Sequence, residues 1–303
     1  MKVKSAYNIQ RIISKLHIHP LNMLMWHLLR KYLNWYLPKY YKTSRNSKQV
    51  KVDKYTDKEV IVSLTTYPAR MKELSLVLET LFHQSVMPSR IILWLADNQY
   101  EDAESVNEEL KKFVDEGLEI LFCEDLRAHK KYYYTMKNHP ESIVITVDDD
   151  ILYPENMVES LIKKHIEYPN CIIACRAHEM KFLNGIPAPY STWNFLAKNC
   201  LGPDLRLCAT GGAGCLYPPG ALSQHVFDKE VFTEICLYAD DLWMKCMSFL
   251  NKTQVVLTEK NNPNIITVIS EKSGGLAEYN VVQKKNDEQL NAVSKRYNID
   301  WDI

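Results

Sequence analysis

The stretch Ser142-Ile-Val-Ile-Thr-Val-Asp148-Asp149-Asp150-Ile-Leu-Tyr-Pro154 decides the fold. Residues 143–147 are apolar or β-branched without a break, which predicts a short strand buried on both faces of a sheet. In an extended backbone Asp148 and Asp150 project to the same side, and two such carboxylates suit a hard divalent cation. The alternative is a solvated turn in which an aspartate caps the next helix. We expect a metal or ligand site, because α/β proteins bind ligands at the carboxyl ends of parallel strands.

Around this stretch, predicted strands alternate with predicted amphipathic helices. The strands cover short apolar runs at 60–64, 91–96, 118–122, 143–147 and 171–175. The helices between them have apolar residues at helical spacing and cover 71–82, 106–114, 130–139 and 154–168. This alternation predicts an α/β fold with a mostly parallel, doubly wound central sheet and helices on both faces.

After residue 175 the periodicity fails, and residues 176–224 are rich in proline and glycine. A long irregular stretch inside a compact domain is usually functional, and its Tyr190 and Trp193 could stack on a sugar or simply pack in the core. Beyond it we predict two helices, two short strands and a tail helix, at 228–236, 240–250, 255–257, 265–269 and 280–297.

Charge is distributed unevenly along the 303 residues, although the formal net charge is zero. Residues 1–52 contain eleven lysines and arginines and no acidic residue. The hydrophobic content of 46% is that of a soluble globular protein. The eight cysteines include no C-x-x-C pair, which disfavours a zinc site and predicts buried free thiols in a reducing compartment, with a disulfide left open as the alternative.

The N-terminal segment combines this positive charge with aromatic and apolar residues. Six of its residues follow helical spacing, namely Met25, Leu28, Leu29, Tyr32, Leu33 and Tyr36. This profile predicts that residues 1–52 lie on an anionic membrane surface. The alternatives are an ordinary helix packed on the main domain and, third, a nucleic-acid-binding segment. The uncharged run Leu16–Leu29 is too short and too polar to span a bilayer, so we expect a cytoplasmic protein peripheral to the inner face of the plasma membrane.

Three further motifs follow predicted elements. Thr65-Thr66-Tyr67-Pro68-Ala69-Arg70 follows the first strand of the alternating region, and Asp97 follows the second. The glycine loop Gly211-Gly212-Ala-Gly214 lacks the spacings of dinucleotide-binding and P-loop motifs. In Ala239-Asp240-Asp241 one aspartate could cap the next helix, which would leave the other free to act as a base.

This ordered set of motifs resembles nucleotide-sugar glycosyltransferases of the GT-A fold, close to the family 2-like bacterial enzymes. The likeness covers about residues 58–250. It divides the chain into a basic N-terminal segment with a linker at 1–57, a GT-A domain at 58–258 and a C-terminal extension at 259–303.

The resemblance implies a role for each motif. The nucleotide would be bound by Thr65, Thr66, Tyr67, Arg70, Asp97, Lys131, Asp148 and Asp149, with Asp97 on the base. Asp148 and Asp150 would hold Mn²⁺ or Mg²⁺, and Asp241 or Asp240 would be the general base. The family's second acidic motif normally reads Glu-Asp, so the Asp-Asp of this chain leaves the choice of base open.

The implied function is metal-dependent transfer of a sugar from a nucleotide-sugar, expected to be a UDP-sugar, to a saccharide acceptor. The acceptor is expected to be lipid-linked, in the synthesis of a bacterial surface polysaccharide such as lipopolysaccharide or capsule, with no nucleic acid as partner. A single base opposite the leaving group would give inversion, and retention is the alternative. Two rival functions are a sugar nucleotidyltransferase and a non-catalytic saccharide-binding or membrane-associated scaffold with the same fold.

Overall fold

The structure is a computed structural model that describes residues 2–14, 19–43, 49–100, 104, 106, 108, 110–197, 200–259, 265–269 and 285–302. The helices in chain order are α1 Val3–Ser14, α2 His19–Thr43, α3 Met71–Phe82, α4 Lys111–Asp115, α5 Lys130–Asn138, α6 Met157–Glu167, α7 Lys229–Ile235, α8 Asp240–Leu250 and α9 Lys285–Arg296. The strands are β1 Val50–Lys51, β2 Val60–Thr65, β3 Val86–Met87, β4 Arg90–Ala96, β5 Leu118–Cys123, β6 Ile143–Thr146, β7 Ile172–Ala174, β8 Ala177–Glu179, β9 Phe182–Leu183, β10 Ile186–Pro187, β11 Leu207–Ala209, β12 Cys215–Tyr217 and β13 Val255–Leu257.

Seven strands form the central sheet, in the order β13-β7-β12-β6-β2-β4-β5. The pairs β2–β4, β2–β6, β4–β5 and β7–β13 are parallel. Only β12 among these seven runs against its neighbours, pairing antiparallel with both β6 and β7. The predicted mostly parallel α/β sheet is confirmed. Strand β12 was not predicted, because it lies within the irregular region that begins at residue 176.

Helices cover both faces of the sheet, as the alternation of strands and helices predicted. On one face Val62 and Leu64 of β2 join the same buried cluster as Leu74 and Leu78 of α3. On the other face Ile61 and Trp94 pack with Tyr134 of α5. Successive strand residues point to opposite faces, so a strand buried on both faces must be apolar throughout.

Helix α5 is fixed on the sheet by a small polar cluster. The indole Nε1 of Trp94 donates to Thr135 Oγ1 at 2.7 Å, and the hydroxyls of Ser63 and Thr135 are 2.7 Å apart. All three residues are buried, so each polar group needs a partner inside the protein. These bonds hold the middle of α5 against β2 and β4.

The N-terminal helices pack against this domain. The Tyr7 hydroxyl donates to the Leu152 carbonyl at 3.2 Å and accepts from the Ile266 amide at 3.0 Å. Leu33 and Leu37 of α2 are fully buried in the same cluster as the sheet. The predicted basic helical segment is confirmed within the described residues. No helix of the described chain is both long enough and apolar enough to cross a membrane.

The C-terminal region differs in part from the prediction. Instead of the strand predicted at 265–269, one antiparallel bridge joins Thr267 to Ile151. The predicted tail helix is present as α9, and the part of it assigned to 280–284 lies outside the described residues. All eight cysteines are free thiols.

Candidate active site

The order of the strands creates a cleft at one edge of the sheet. Strands β4 and β5, which follow β2 in the chain, lie on one side of β2 in the sheet. The next strand of the sheet in the chain, β6, pairs with the other side of β2. Such a reversal leaves a crevice at the carboxyl ends of the strands, where open α/β sheets bind ligands. The cleft here has a volume of about 900 Å³. Its charged lining residues are five cations, Arg70, Arg127, Lys130, Lys131 and Arg176, and six aspartates, Asp125, Asp148, Asp149, Asp150, Asp240 and Asp241.

The turn after β6 is held by the loop that follows β2. Thr66 Oγ1 donates to Asp149 Oδ2 at 2.6 Å, and Arg70 Nη1 donates to Asp149 Oδ1 at 2.7 Å. Arg70 Nη1 also lies 2.9 Å from Asp150 Oδ2. Both carboxylate oxygens of Asp149 are therefore occupied within the protein, and Asp149 fixes the turn from which the side chains of Asp148 and Asp150 reach the cleft.

Lys131 joins the two acidic motifs. Its buried Nζ lies 2.7 Å from Asp148 Oδ1 and 2.9 Å from Asp240 Oδ2. Burial alone would lower the pKa of Lys131, but the carboxylates of Asp148, Asp240 and Asp241 raise that pKa well above its usual value. The ammonium group remains charged and holds α8 against the turn after β6.

The glycine loop packs directly on the aspartates. A Cβ added at Gly212 would lie 1.8 Å from Asp148 Oδ2, a distance that no side chain can occupy. The buried Tyr153 hydroxyl accepts from the Asp148 amide at 2.7 Å and donates to the Gly212 carbonyl. Glycine is required at 212 so that the loop can approach the carboxylate this closely.

The two aspartates at the start of α8 have different environments. Lys131 pairs with Asp240 and lowers the pKa of that carboxyl, although burial alone would raise it. Asp241 accepts a hydrogen bond from the Gly211 amide at 2.8 Å and has no cation within ion-pair distance among the described residues. Burial, together with the neighbouring charge of Asp240, raises the pKa of Asp241 to about 7. A carboxylate with a pKa near neutrality is suited to proton transfer.

Asp148 and Asp150 fit a hard divalent cation in part. Their carboxylates face the same cleft, and burial together with the charge of Asp148 raises the pKa of Asp150 to about 6. A cation between them would relieve this repulsion, and two carboxylates leave coordination positions for phosphate oxygens. No group of three or more histidine, cysteine, aspartate or glutamate residues is arranged to hold a metal ion in the described part of the chain.

The cleft brings together all but one of the residues predicted for the site. The exception is Asp97, which is exposed at the turn after β4 and does not line the cleft. Thr65 lines it, but its hydroxyl donates to the Trp94 carbonyl at 2.8 Å. On the side of Asp97, the residues that reach the cleft are Gln99 and Asp125, whose side chains are hydrogen-bonded at 2.9 Å. The one available signal for Asp125 was its position just after a strand, β5.

Part of the irregular region forms the opposite wall of the cleft. Trp193 is buried, and its Nε1 donates to the Ala188 carbonyl at 2.8 Å, so this ring packs in the core. Tyr190, in contrast, lines the cleft together with Phe195, which is 43% exposed. The two ring centroids are 5.5 Å apart. No pattern in the sequence marks Phe195 as a residue of the site.

Comparison with known proteins returned matches among solved structures alone. No protein-family profile and no curated protein matches the chain. TarS from S. aureus in complex with UDP-GlcNAc is 15% identical, with 72% of this chain and 60% of that one covered and a TM-score of 0.44. The mannosyltransferase PcManGT from Pyrobaculum calidifontis, in complex with GDP-Man and Mn²⁺, is 11% identical, with 96% and 75% covered and a TM-score of 0.49.

The chain spans 59% of the length of a further TarS structure, which is 16% identical with a TM-score of 0.45.

Proposed function

We propose that the protein is a metal-dependent glycosyltransferase that moves a sugar from a nucleotide-sugar to a saccharide acceptor. The observation that carries this proposal is the pairing of two kinds of aspartate in one cleft. Asp148 and Asp150 form an acidic pair suited to a cation, and Asp241 is a half-buried carboxyl whose pKa is raised to about 7. A cation bound by Asp148 and Asp150 would stabilise the negative charge of a nucleoside diphosphate leaving group.

In this proposal Asp241 is the general base. It takes the proton of the acceptor hydroxyl as that oxygen attacks the anomeric carbon, and a base positioned opposite the leaving group gives inversion. The hydrogen bond from the Gly211 amide orients the carboxylate. Asp240 is less suited to the role, because Lys131 pairs with it and lowers its pKa.

The nucleotide would lie on the side of the cleft formed by the loop after β2. Tyr67 is 40% exposed there and offers a face for a base or ribose, while the Arg70 guanidinium lies 5.6 Å from the centre of its ring. Lys131 and Arg70 provide positive charge beside the proposed diphosphate. Gln99 and Asp125 supply hydrogen-bonding groups farther along the same side.

A thermal-shift panel of UDP, GDP, CMP and ADP, each with and without Mn²⁺, tests this function. A ligand at a hundredfold its dissociation constant stabilises a protein by about 2.7 kcal/mol, which is readily measured. We expect one nucleotide, with UDP the first candidate, to give a shift that depends on Mn²⁺ and is lost in Asp150→Ala. If none of the four stabilises the protein, the nucleotide site is refuted and the non-catalytic scaffold becomes the better explanation.

We further propose that α2 places the enzyme on an anionic membrane surface, where a lipid-linked acceptor would be presented. The face of α2 that points away from the domain exposes Leu24, Leu28, Tyr32 and Trp35, with side chains between 41% and 61% exposed. The segment that contains it has eleven basic residues and no acidic one. Apolar and aromatic residues flanked by positive charge are typical of interfacial helices.

Flotation with vesicles tests the membrane proposal. We expect the full chain to float with vesicles that contain anionic phosphatidylserine and not with neutral phosphatidylcholine vesicles. The double variant Leu28→Ser/Trp35→Ser should lose flotation without a change in melting temperature, since both side chains are exposed. Equal flotation of variant and wild type would refute a role for this face.

A further inference from the structure

One cation in the cleft differs from the other four in having no counter-ion. Arg70, Arg127, Lys130 and Lys131 each pair with an aspartate at 3.2 Å or less. Arg176 forms no ion pair with any described residue, and its Nε is buried without a hydrogen-bond partner. Arg176 is half-buried, and a guanidinium that is partly removed from water without a counter-ion is unfavourable, so such a group in a ligand cleft points to an anion that arrives with the ligand.

The backbone holds Arg176 in this position. It follows β7 by two residues, and its carbonyl accepts hydrogen bonds from the Thr210 amide at 3.0 Å and the Thr210 hydroxyl at 3.2 Å. These bonds tie it to the glycine loop. Arg176 and Asp241 line the same cleft, and the charge of Asp241 acts to raise the pKa of Arg176 while burial lowers it.

The position of β7 in the sheet separates Arg176 from the proposed donor site. The nucleotide side of the cleft is formed by the ends of β2 and β4, and the aspartate turn follows β6. Strand β7 lies on the other side of β6, with β12 between them. Two strand spacings correspond to about 10 Å. An anion held by Arg176 would therefore lie beyond the leaving diphosphate, on the side of Asp241, Tyr190 and Phe195.

A second, smaller cavity adjoins the cleft at this point. It has a volume of about 120 Å³, and both cavities are lined by Arg176, Ala213 and Ile265. Its charged lining residues are Lys4 and Arg11 of α1, Arg176 and Glu259, and Glu259 is already paired with Arg11. The charge around this cavity is therefore positive on balance, which favours an oxyanion such as phosphate over a neutral sugar.

We propose that Arg176 is a specificity-determining residue that binds a phosphate group of the acceptor saccharide. This inference rests on the proposed transferase function and names the chemical class of its acceptor. Arginine suits the role because its planar guanidinium can donate two parallel hydrogen bonds to phosphate oxygens. A phosphate held there would place an acceptor hydroxyl near Asp241, with the sugar against Tyr190 and Phe195.

Calorimetric titration of the full chain tests this proposal, with glycerol 3-phosphate as the probe and glycerol as its uncharged counterpart. The titration is made with Mn²⁺ and the nucleoside diphosphate that stabilises the protein in the thermal-shift panel, so that the donor site is filled. We expect glycerol 3-phosphate to bind and glycerol not to bind. Arg176→Gln should weaken its binding by about tenfold or more, and Arg176→Lys by less. Nucleotide affinity should stay within about twofold of wild type in both variants.

The matched control is Arg206→Gln, because Arg206 is 45% exposed, pairs with Asp204 at 2.6 Å and lines neither cavity. We expect this change to leave the binding of glycerol 3-phosphate and of the nucleoside diphosphate unaffected. Arg176→Gln should melt no lower than wild type, since it removes a half-buried charge that has no counter-ion among the described residues. Unfolding of that variant at lower temperature would show that Arg176 serves the fold.

Two results would overturn the proposal. The first is that wild-type protein does not bind glycerol 3-phosphate. The second is that Arg176→Gln weakens binding of the nucleoside diphosphate and leaves binding of glycerol 3-phosphate unchanged, which would mean that the anion bound by Arg176 is not part of the acceptor. Failure of the transferase proposal itself gives a different result, because then no nucleotide binds wild type. Titration of glycerol 3-phosphate without nucleotide would still report on Arg176.

Discussion

Replacing Lys131 by methionine should destabilise the protein strongly, because this lysine neutralises two carboxylates at once. Its Nζ lies 2.7 Å from Asp148 and 2.9 Å from Asp240. Removing one partner of a buried ion pair typically costs 3–5 kcal/mol. The Asp148 side chain is 39% exposed and can be hydrated, whereas that of Asp240 is 13% exposed. We therefore assign most of the loss to Asp240 and expect the lower end of the range, about 3 kcal/mol.

The loss should depend on pH with a definite sign. In wild type, Lys131 lowers the pKa of Asp240, so the pair stabilises the fold above the unfolded carboxyl pKa of about 3.9. Without the lysine, the largest effect that opposes burial is lost, and we expect burial to raise the pKa of Asp240 above that value. The charged carboxylate then destabilises the variant as pH rises through the raised pKa. We expect a larger loss at pH 8 than at pH 5.

Urea unfolding of the two proteins at both pH values measures this loss. Lys245→Met is the matched control. Lys245 lies on α8 and is buried like Lys131, but its ammonium group donates to the Leu205 carbonyl and not to a carboxylate. Burial lowers the pKa of Lys245 to about 8. This control leaves one carbonyl without its donor and no carboxylate unpaired, so we expect it to cost clearly less than Lys131→Met, about 1 kcal/mol. The double variant Lys131→Met/Asp240→Asn should recover part of the loss. Equal destabilisation by the two lysine changes, or a loss that does not depend on pH, would refute the argument.

Three further changes follow from the same geometry. Gly212→Ala should abolish the Mn²⁺-dependent nucleotide shift, because its Cβ would displace the Asp148 carboxylate, and an unchanged shift would contradict this. Asp241→Asn should lower kcat by about two to four orders of magnitude in a transfer assay while nucleotide binding stays intact. In wild type, kcat/KM should fall as pH drops through about 7, since the base must be deprotonated, and a profile flat from pH 6 to 8 would exclude Asp241. Tyr153→Phe should cost about 1–3 kcal/mol in urea unfolding, as it leaves the buried Asp148 amide and Gly212 carbonyl unpaired.

The alternating half of the fold could be predicted because each element repeats a simple pattern. Val60–Thr65 and Ile143–Thr146 are apolar runs buried on both faces, and a helix of clear periodicity follows each of them. Strand β12 gives no such signal, since its three residues lie between a glycine loop and two prolines. Residues 265–269 are apolar enough to suggest a strand, yet they make one bridge, because Arg30 of α2 takes the carbonyls of Thr267 and Val268.

The candidate site could be predicted where its residues directly follow strands. Asp148 and Asp150 end a buried run, and the start of α8 was visible from Asp240. Phe195 could not be found in this way, because its position depends on how the irregular region folds back over the cleft. Arg176 does follow a strand, β7, but no pattern in the sequence shows that its guanidinium lacks a carboxylate partner. Asp97 shows the opposite case, a residue at the end of a strand whose side chain turns out to be exposed away from the cleft.

The insertion of β12 between β6 and β7 sets the order in which the sheet can be completed during synthesis. Strand β7 ends at Ala174, but the strand that joins it to β6 begins only at Cys215. Until residues 215–217 emerge from the ribosome, β6 and β7 each present an open edge on the side that β12 will fill. Unpaired edges are sites of mispairing, so nascent chains that stall between these strands should depend most on chaperones.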